Sequence, residues 1–179
     1  MTAGRNIVNL ALIGFMGTGK SSVGRLVAEQ LRFEFLDTDA LLESRSGKTI
    51  SEIFAQNGEP AFRKLEHQLV EELASATGTV ISTGGGLPVN PANLDYLKRH
   101  ALTVCLWASP EKILERVREQ SHRPLLRDPD PLAKIRTLLA EREPHYKRAD
   151  VLINSEFRSI REVAQQVILQ FRMATSGHK

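Results

Sequence analysis

The sequence of 179 residues has little cysteine, few aromatic residues and no long apolar run. Its single cysteine, Cys105, cannot form a disulfide within the chain, so the sequence is not that of a disulfide-rich scaffold. Cys105 lies in the apolar run 101–107, where we expect a small buried hydrophobe rather than a nucleophile, in a protein compatible with the reducing cytoplasm. No run approaches the roughly eighteen apolar residues of a membrane span, which excludes a membrane protein of that class.

Aromatic residues make up 6% of the sequence, and the net charge is only +3. The basic residues are scattered and form no motif interleaved with aromatic residues, so nucleic-acid binding is not favoured. With 41% hydrophobic and 25% charged residues, the composition is that of a globular protein with a full core. We therefore expect one domain over residues 1–179, and a monomer, because no exposed apolar stripe calls for a partner.

Residues 14–21, with the sequence GFMGTGKS, form the most informative stretch. They follow an apolar run and lead into a helical pattern, which is the setting of a phosphate-binding loop. The glycines let backbone N–H groups face an anion, and the start of the helix adds partial positive charge. Lys20 would then reach the β- and γ-phosphates of a nucleotide, and the Ser21 hydroxyl would ligate Mg²⁺.

Short apolar runs alternate with segments of helical periodicity along the chain. The runs lie at residues 8–13, 33–36, 79–81, 102–107 and 151–153. This alternation predicts a parallel sheet with helices on both faces. The apolar stripe from Ile160 to Phe171 is predicted to be the core-facing side of the last helix.

Helix starts are marked by side chains able to cap them. Thr49 and Ser159 each precede a glutamate by three residues, the spacing of a capping box. Asn90, Ser109 and Asp130 each directly precede a proline, which favours the first helical position. These five positions are predicted helix N-termini.

Polar residues follow two of the predicted strands, at the edge where parallel sheets bind ligands. Asp37 and Asp39 come after the second run, and either aspartate alone could be a helix N-cap or a first-turn acid. The pair favours Mg²⁺ or its waters together with a substrate hydroxyl. Residues 84–86 are three glycines after the third run, and they form either a flexible connector or a backbone that lies against a ligand.

Other polar residues allow two interpretations each. By spacing alone, Arg63 and Glu66 favour an exposed i,i+3 ion pair. Arg142 could complement a helix dipole, and Tyr146 could be a core residue. The proline-rich segment 121–131 carries three basic or potentially basic residues, a composition that suits a lid over phosphates.

Taken together, these motifs resemble the shikimate kinase family in order and spacing, over nearly the whole chain. The resemblance rests on residues 14–21, Asp37-Thr38-Asp39, Phe54, Phe62-Arg63, Gly84-Gly85-Gly86, Arg123-Pro124-Leu125-Leu126, and Arg142 with Tyr146. It implies a three-layer α/β/α sandwich with a five-stranded parallel sheet of order 2-3-1-4-5, the P-loop fold of nucleoside monophosphate kinases. It also implies a substrate-binding segment at about residues 38–66 and a lid at about residues 118–130.

The resemblance implies ATP-dependent phosphorylation of the 3-hydroxyl of shikimate in the cytoplasm, on the route to chorismate and the aromatic amino acids. The implied catalytic residues are Lys20, Asp39 and Arg123, with Asp39 either deprotonating or only orienting the acceptor. The implied nucleotide contacts are Gly17, Thr18, Gly19, Lys20, Ser21, Ser22, Arg116, Arg123 and Arg158. The implied shikimate contacts are Asp39, Arg63, Gly84, Gly85, Gly86 and Arg142, with Glu66 orienting Arg63. Mg²⁺ would be held by Ser21 and, through water, by Asp37.

Two rival functions remain at this stage. A sibling P-loop kinase acting on gluconate or a nucleoside monophosphate would share the phosphate loop but would lack the paired arginines and the triple glycine. A GTPase-type switch would be expected to carry an Asn-Lys-x-Asp motif and an Asp-x-x-Gly motif. The sequence contains neither motif.

Overall fold

The computed structural model describes residues 5–118 and 128–176. The strands are β1 (Asn9–Ile13), β2 (Glu34–Asp37), β3 (Thr79–Ser82), β4 (Ala101–Trp107) and β5 (Val151–Asn154). The helices are α1 (Lys20–Leu31), α2 (Thr38–Ser46), α3 (Ile50–Glu72), α4 (Pro91–His100), α5 (Pro110–Arg118), α6 (Pro131–Tyr146) and α7 (Ile160–Ser176), with 3₁₀ turns at Leu73–Ser75 and Leu87–Val89. Each predicted strand is present, and no strand boundary differs from its prediction by more than one residue.

The strands form one parallel sheet of order β2-β3-β1-β4-β5, which confirms the implied topology. Strand β1 is central and pairs with both β3 and β4. The register places Ser82 beside Leu12 on one side and beside Asp37 on the other. Because the carboxyl ends of β1, β2 and β3 are therefore level, the segments that follow these strands meet at one edge of the sheet.

Helices cover both faces of the sheet, as the alternation of side chains along β1 requires. Leu10 and Leu12 point to the face packed by α1 and α7. Ala11 and Ile13 point to the opposite face, where Ala11 packs with α3 and α4, and Ile13 packs with α5 and α6. The three-layer α/β/α architecture is confirmed.

The predicted caps form, and α3 contains a break that the sequence pattern did not predict. Thr49 and Glu52 make a complete capping box at the start of α3, and the Asn90 and Asp130 side chains cap α4 and α6. Within α3, Gly58 has φ 77° and ψ 166°, so two helical segments meet there. The second segment starts with a new orientation at Glu59.

The prediction for α7 is wrong at one position. The predicted core stripe is buried at Val163, Ala164, Val167, Ile168 and Phe171. Ile160, however, is 50% exposed and lines the cleft described below. It lies in the first turn of α7, where the helix begins beyond the sheet edge, so periodicity alone overestimated the length of the buried stripe.

Cys105 lies in β4 and is buried, as predicted. Burial in the apolar sheet raises the pKa of its thiol to about 12, so the thiol stays protonated and unreactive at neutral pH. Among the described residues, no helix combines the length and the apolar character that crossing a bilayer requires.

Asp150 joins β4 to the start of β5 and yields a prediction about stability and pH. Its carboxylate accepts hydrogen bonds from Arg5 and from the backbone and hydroxyl of Thr103. Burial acts to raise the pKa of Asp150, but these hydrogen bonds outweigh it and lower the pKa to about 2. A group with a depressed folded pKa stabilises the protein above its unfolded pKa, near 3.9, and loses that effect as the pH falls to about 2.

We expect Asp150→Asn to lower the free energy of unfolding by about 2 kcal/mol at pH 7, because buried donors lose a charged acceptor. The difference from wild type should shrink between about pH 4 and about pH 2. Urea unfolding across this pH range measures the loss of stability at pH 7 and its decrease at lower pH. Asp95→Asn is the control, since Asp95 forms an exposed ion pair with Arg148. A difference in free energy of unfolding from wild type that does not change with pH would contradict the prediction.

Candidate active site

A cleft of about 960 Å³ runs along the carboxyl edge of the sheet. It is lined by residues of the phosphate-binding loop, by Asp37 and Asp39, by Arg63 and Glu66 of α3, by residues 83–86, and by Arg142 of α6. The cleft therefore brings together motifs that are separated by more than a hundred residues in the sequence. Every described residue in the predicted site set lies along it.

The phosphate-binding loop has the predicted backbone geometry. Gly14 has φ 132°, and a Cβ atom there would overlap the carbonyl of Leu106 on β4. Gly19 has φ 95° and forms the N-terminal cap of α1, so α1 directs its first N–H groups into the cleft. The buried Lys20 side chain lies back across the loop, where its Nζ donates to the Phe15 carbonyl at 2.9 Å. The loop is a preformed anion site that contains a cation.

Asp37 both caps a helix and faces the phosphate-binding loop. Its Oδ1 accepts from the backbone N–H groups of Asp39 and Ala40 at the start of α2. Its Oδ2 accepts from the Ser21 hydroxyl at 2.8 Å, and Ser82 lies 3.3 Å from that hydroxyl. The two interpretations of Asp37 are thus compatible. A hydroxyl and a carboxylate beside a phosphate site are hard oxygen ligands of the kind and number that Mg²⁺ takes from proteins.

Charged side chains press against the backbone of Gly84 and Gly86, where no Cβ atom would fit. Gly86 has φ −92°, and neither Gly84 nor Gly85 has a positive φ, so turn geometry does not require glycine here. A Cβ atom on Gly84 would overlap the Asp39 carboxylate, and one on Gly86 would lie 2.5 Å from Nη2 of Arg63. The segment is therefore in close contact with side chains at two positions, which argues against a flexible connector. Its contact with a ligand stays a prediction.

Two hydrogen bonds fix this glycine segment from opposite sides. The Gly84 N–H donates to Oγ1 of the buried Thr38 at 3.0 Å, and the Tyr146 hydroxyl donates to the Gly85 carbonyl at 2.6 Å. Burial raises the pKa of Tyr146 to about 12, although the nearby Arg142 opposes the shift. Tyr146 is therefore both a core residue and an anchor of the cleft.

The pair of Arg63 and Glu66 is not exposed, so the interpretation that spacing favoured is wrong. Nη1 of Arg63 donates to Oε2 of Glu66, whose side chain is 1% exposed. Burial raises the pKa of Glu66, and the charge and hydrogen bond of Arg63 oppose that shift. Burial also acts to lower the pKa of Arg63, but its partners Glu66 and Glu59 outweigh it and the pKa is raised. Arg63 thus carries its positive charge into the cleft.

Arg142 reaches the cleft from the last turn of α6. Its guanidinium lies over the Phe15 ring, 5.5 Å from the ring centroid, and beside Gly85. This position joins the phosphate-binding loop to the glycine segment. Two arginines from different helices, Arg63 and Arg142, therefore line the same end of the cleft.

Arg116 and Arg158 lie at the other end of the cleft. Arg116 donates to the Gly17 carbonyl at 3.3 Å and to the Ser155 carbonyl at 2.6 Å. Arg158 is exposed and donates to the carbonyl of Asn154. Ser155 also donates through its hydroxyl to the carbonyl of Thr18, which ties the end of β5 to the phosphate-binding loop.

Arg123 and residues 119–127 of the predicted lid lie outside the described residues. The sequence reasoning also missed two residues that shape the site, Thr38 and Ser155. Ser155 directly follows β5, so the same rule that selected Asp37 could have found it. Thr38 lies between Asp37 and Asp39 in the sequence. Its role depends on a contact with Gly84 that no local pattern reveals.

Comparisons with known proteins agree with this geometry. The family model described as shikimate kinase matches residues 16–172. A shikimate kinase from Caldanaerobacter subterraneus subsp. tengcongensis is 46% identical over 160 residues, which cover 89% of this chain and 94% of that protein. The solved shikimate kinase from Acinetobacter baumannii in complex with shikimate superposes with a TM-score of 0.87 at 36% identity, covering 98% of this chain and 97% of that chain.

A more distant solved structure shares the fold alone. The gluconokinase from Sinorhizobium meliloti 1021 superposes with a TM-score of 0.62 at 19% identity and covers 96% of this chain and 97% of its own. The three-layer architecture is thus common to kinases with different acceptors, and the acceptor has to be argued from the site residues.

The anchor formed by Tyr146 can be tested by removing one oxygen atom. We expect Tyr146→Phe to lower the free energy of unfolding by about 1–2 kcal/mol, because the Gly85 carbonyl loses its donor inside the protein. Urea unfolding measures the loss. Tyr96→Phe is the matched control, since Tyr96 contacts His67 and Arg99 through its ring. Equal effects of the two substitutions would contradict the assigned role of the hydroxyl.

Proposed function

Because this chain belongs to the shikimate kinase family, it is a phosphotransferase that acts on shikimate, and we propose how its residues divide the work. The γ-phosphoryl group of ATP passes to the 3-hydroxyl of shikimate, giving ADP and shikimate 3-phosphate. The observation that carries this proposal is the presence of Arg63 and Arg142 in the same cleft as Lys20. Had the two arginines lain on opposite sides of the molecule, the proposal would have failed.

The end of the cleft with two arginines binds the shikimate carboxylate. A planar guanidinium donates two parallel N–H groups to a carboxylate, and such charge-assisted pairs are the strong, geometrically specific ones. Arg63 comes from α3 and Arg142 from α6, so the carboxylate is held from two elements at once. The backbone of residues 84–86 lies between them and lets the ring approach closely.

Asp39 acts on the acceptor hydroxyl. Its carboxylate lies against Gly84, at the border between the glycine segment and α2. In a loose phosphoryl-transfer transition state the hydroxyl proton leaves late, so orientation of the acceptor by Asp39 matters more than early deprotonation. Oε1 of Glu66 is buried and accepts no hydrogen bond from the described residues, so Glu66 acts on the site through Arg63.

The other end of the cleft binds the nucleotide. The N–H groups of residues 17–22 and the Lys20 ammonium hold the phosphates, with Gly17, Thr18, Gly19, Ser21 and Ser22 lining the loop. Arg116 and Arg158 flank the adenine, and Arg123 neutralises the transferring phosphoryl group. Ser21 and, through water, Asp37 hold Mg²⁺, which supplies positive charge to the phosphates when it is bound.

We propose that the enzyme works as a cytoplasmic monomer of one domain. The single thiol of Cys105 is buried and protonated, which suits a reducing compartment. Residues from both ends of the described chain line one cleft, so the site requires no second copy. Sedimentation equilibrium with and without ATP and shikimate tests whether the protein is a monomer.

The proposed activity is tested by coupled release of ADP. We expect turnover with ATP, Mg²⁺ and shikimate, and none above background when gluconate or a nucleoside monophosphate replaces shikimate. Lys20→Ala is the inactive control, because it removes the cation that faces the phosphates. Turnover with gluconate or a nucleotide, but not with shikimate, would replace the proposed function by that of a sibling kinase.

Gly86→Ala tests whether the glycine segment serves Arg63. A Cβ atom there collides with the Arg63 guanidinium, which is the end of a flexible side chain and can move aside. We therefore expect the KM for shikimate to rise about tenfold, while the free energy of unfolding changes by under about 1 kcal/mol.

Glu72→Ala is the control, because Glu72 forms an exposed ion pair with Arg45 and is not among the residues that line the cleft. Steady-state kinetics with shikimate and ATP varied separately measure the effect. Equal KM values for shikimate in the two variants would contradict the close-contact role of Gly86.

A further inference from the structure

Arg63 is held by a second carboxylate besides Glu66. Oε1 of Glu59 accepts from both Nε and Nη2 of Arg63, at 3.1 Å and 2.8 Å. Glu66 accepts from Nη1 on the opposite side of the guanidinium. Three of the N–H groups of Arg63 are therefore engaged by its own helix, and a guanidinium has five. One N–H group on Nη1 and one on Nη2 remain.

The two carboxylates that hold Arg63 line different cavities. Arg63 lines the main cleft and also a separate hollow of about 420 Å³. Glu66 lines the cleft, whereas Glu59 lines the hollow together with Pro60, Val89 and Asn90. Glu59 thus contacts the guanidinium without lining the main cleft itself. In this position it supports Arg63 without occupying the place of a substrate carboxylate.

The break in α3 determines the position from which Glu59 supports Arg63. Gly58 leaves the helical conformation, and Glu59 then begins the second helical segment, four residues before Arg63. Residues four apart share one face of a helix, and a glutamate on the N-terminal side of its partner is the favourable order. An exposed pair of this kind contributes little to stability, and the Glu59 side chain is 60% exposed. Its effect is therefore expected on the direction of Arg63 rather than on the fold.

We propose that Glu59 is a positioning residue for substrate binding: it fixes Nε and Nη2 of Arg63, so that the remaining N–H groups of Nη1 and Nη2 are directed at the carboxylate of shikimate. The proposal rests on the proposed function of Arg63. Glu66 alone would leave the guanidinium able to rotate about its last side-chain torsions, because a single hydrogen bond fixes a point and not a plane. Two carboxylates on opposite sides fix its plane.

The test compares Glu59→Ala with Glu59→Gln in the ADP-release assay. We expect Glu59→Ala to raise the KM for shikimate about tenfold, the loss of roughly one charge-assisted hydrogen bond. The KM for ATP and the urea unfolding midpoint should stay at the wild-type values. Glu59→Gln keeps an oxygen that accepts from the same two N–H groups, so we expect its KM for shikimate within about threefold of wild type.

Two further variants distinguish failure of the proposed role of Arg63 from failure of the proposed role of Glu59. Glu72→Ala is the matched control, because Glu72 also lies on α3 and forms an exposed ion pair with an arginine, Arg45. Arg63→Ala should raise the KM for shikimate more than Glu59→Ala does. If Arg63→Ala leaves that KM unchanged, the proposed role of Arg63 fails, and the role of Glu59 fails with it.

If Arg63→Ala raises the KM for shikimate and Glu59→Ala does not, only the positioning role of Glu59 is overturned. A lower KM in either Glu59 variant would show a carboxylate that competes with substrate, which also overturns the proposal. Parallel increases in the KM values for shikimate and ATP, with a lower unfolding midpoint, would show a structural role instead.

Discussion

The close approach of the backbone at residues 84–86 to two charged side chains is the constraint on which the cleft depends. Asp39 lies against Gly84 and Arg63 lies against Gly86, each at a distance that no Cβ atom would allow. These contacts join α2 and α3 to the end of β3. Thr38 and Tyr146 hold the same segment by hydrogen bonds, so the position of the acceptor pocket relative to the sheet follows from one short stretch of backbone.

Charge in the cleft is arranged differently at its two ends. Glu66 is buried at a cost in solvation, and Arg63 offsets that cost. At the other end, the Lys20 ammonium lies within a loop whose N–H groups attract anions. In the proposed division of the site, the two ends select different anions by different means: a planar fork for a carboxylate, and a ring of N–H groups with a point charge for phosphates.

The strands, the layers and the helix starts could be predicted from the sequence, because they depend on local periodicity and capping chemistry. The order of the strands was implied only by the resemblance to the family. Strand β1 alternates between two cores, and Thr49 caps α3 as its spacing requires. Asp37 caps α2, which is one of its two predicted roles, and it also accepts a hydrogen bond from Ser21. Its predicted role toward Mg²⁺ stays a prediction. The family that the motifs resembled is confirmed by the comparisons.

The rest depended on three-dimensional contacts. Periodicity could not show that Glu66 is buried, because the break at Gly58 resets the orientation of the second segment of α3. Nor could it show that Glu59 joins Glu66 in holding Arg63, since the spacing of either pair is also that of an ordinary surface ion pair. Ile160 looked like a core residue for the opposite reason, because an apolar stripe does not reveal where the sheet beneath it ends.

The buried thiol of Cys105 can serve as a reporter of opening of the protein core. Its thiol is the only one in the sequence, and it lies in β4 beside the central strand, behind the floor of the cleft. An alkylating reagent can reach it only when the packing of β4 against α5 and α6 opens. The rate of its modification in the native protein therefore tracks opening of this part of the core, and any slowing caused by a bound nucleotide measures how far that ligand stabilises it.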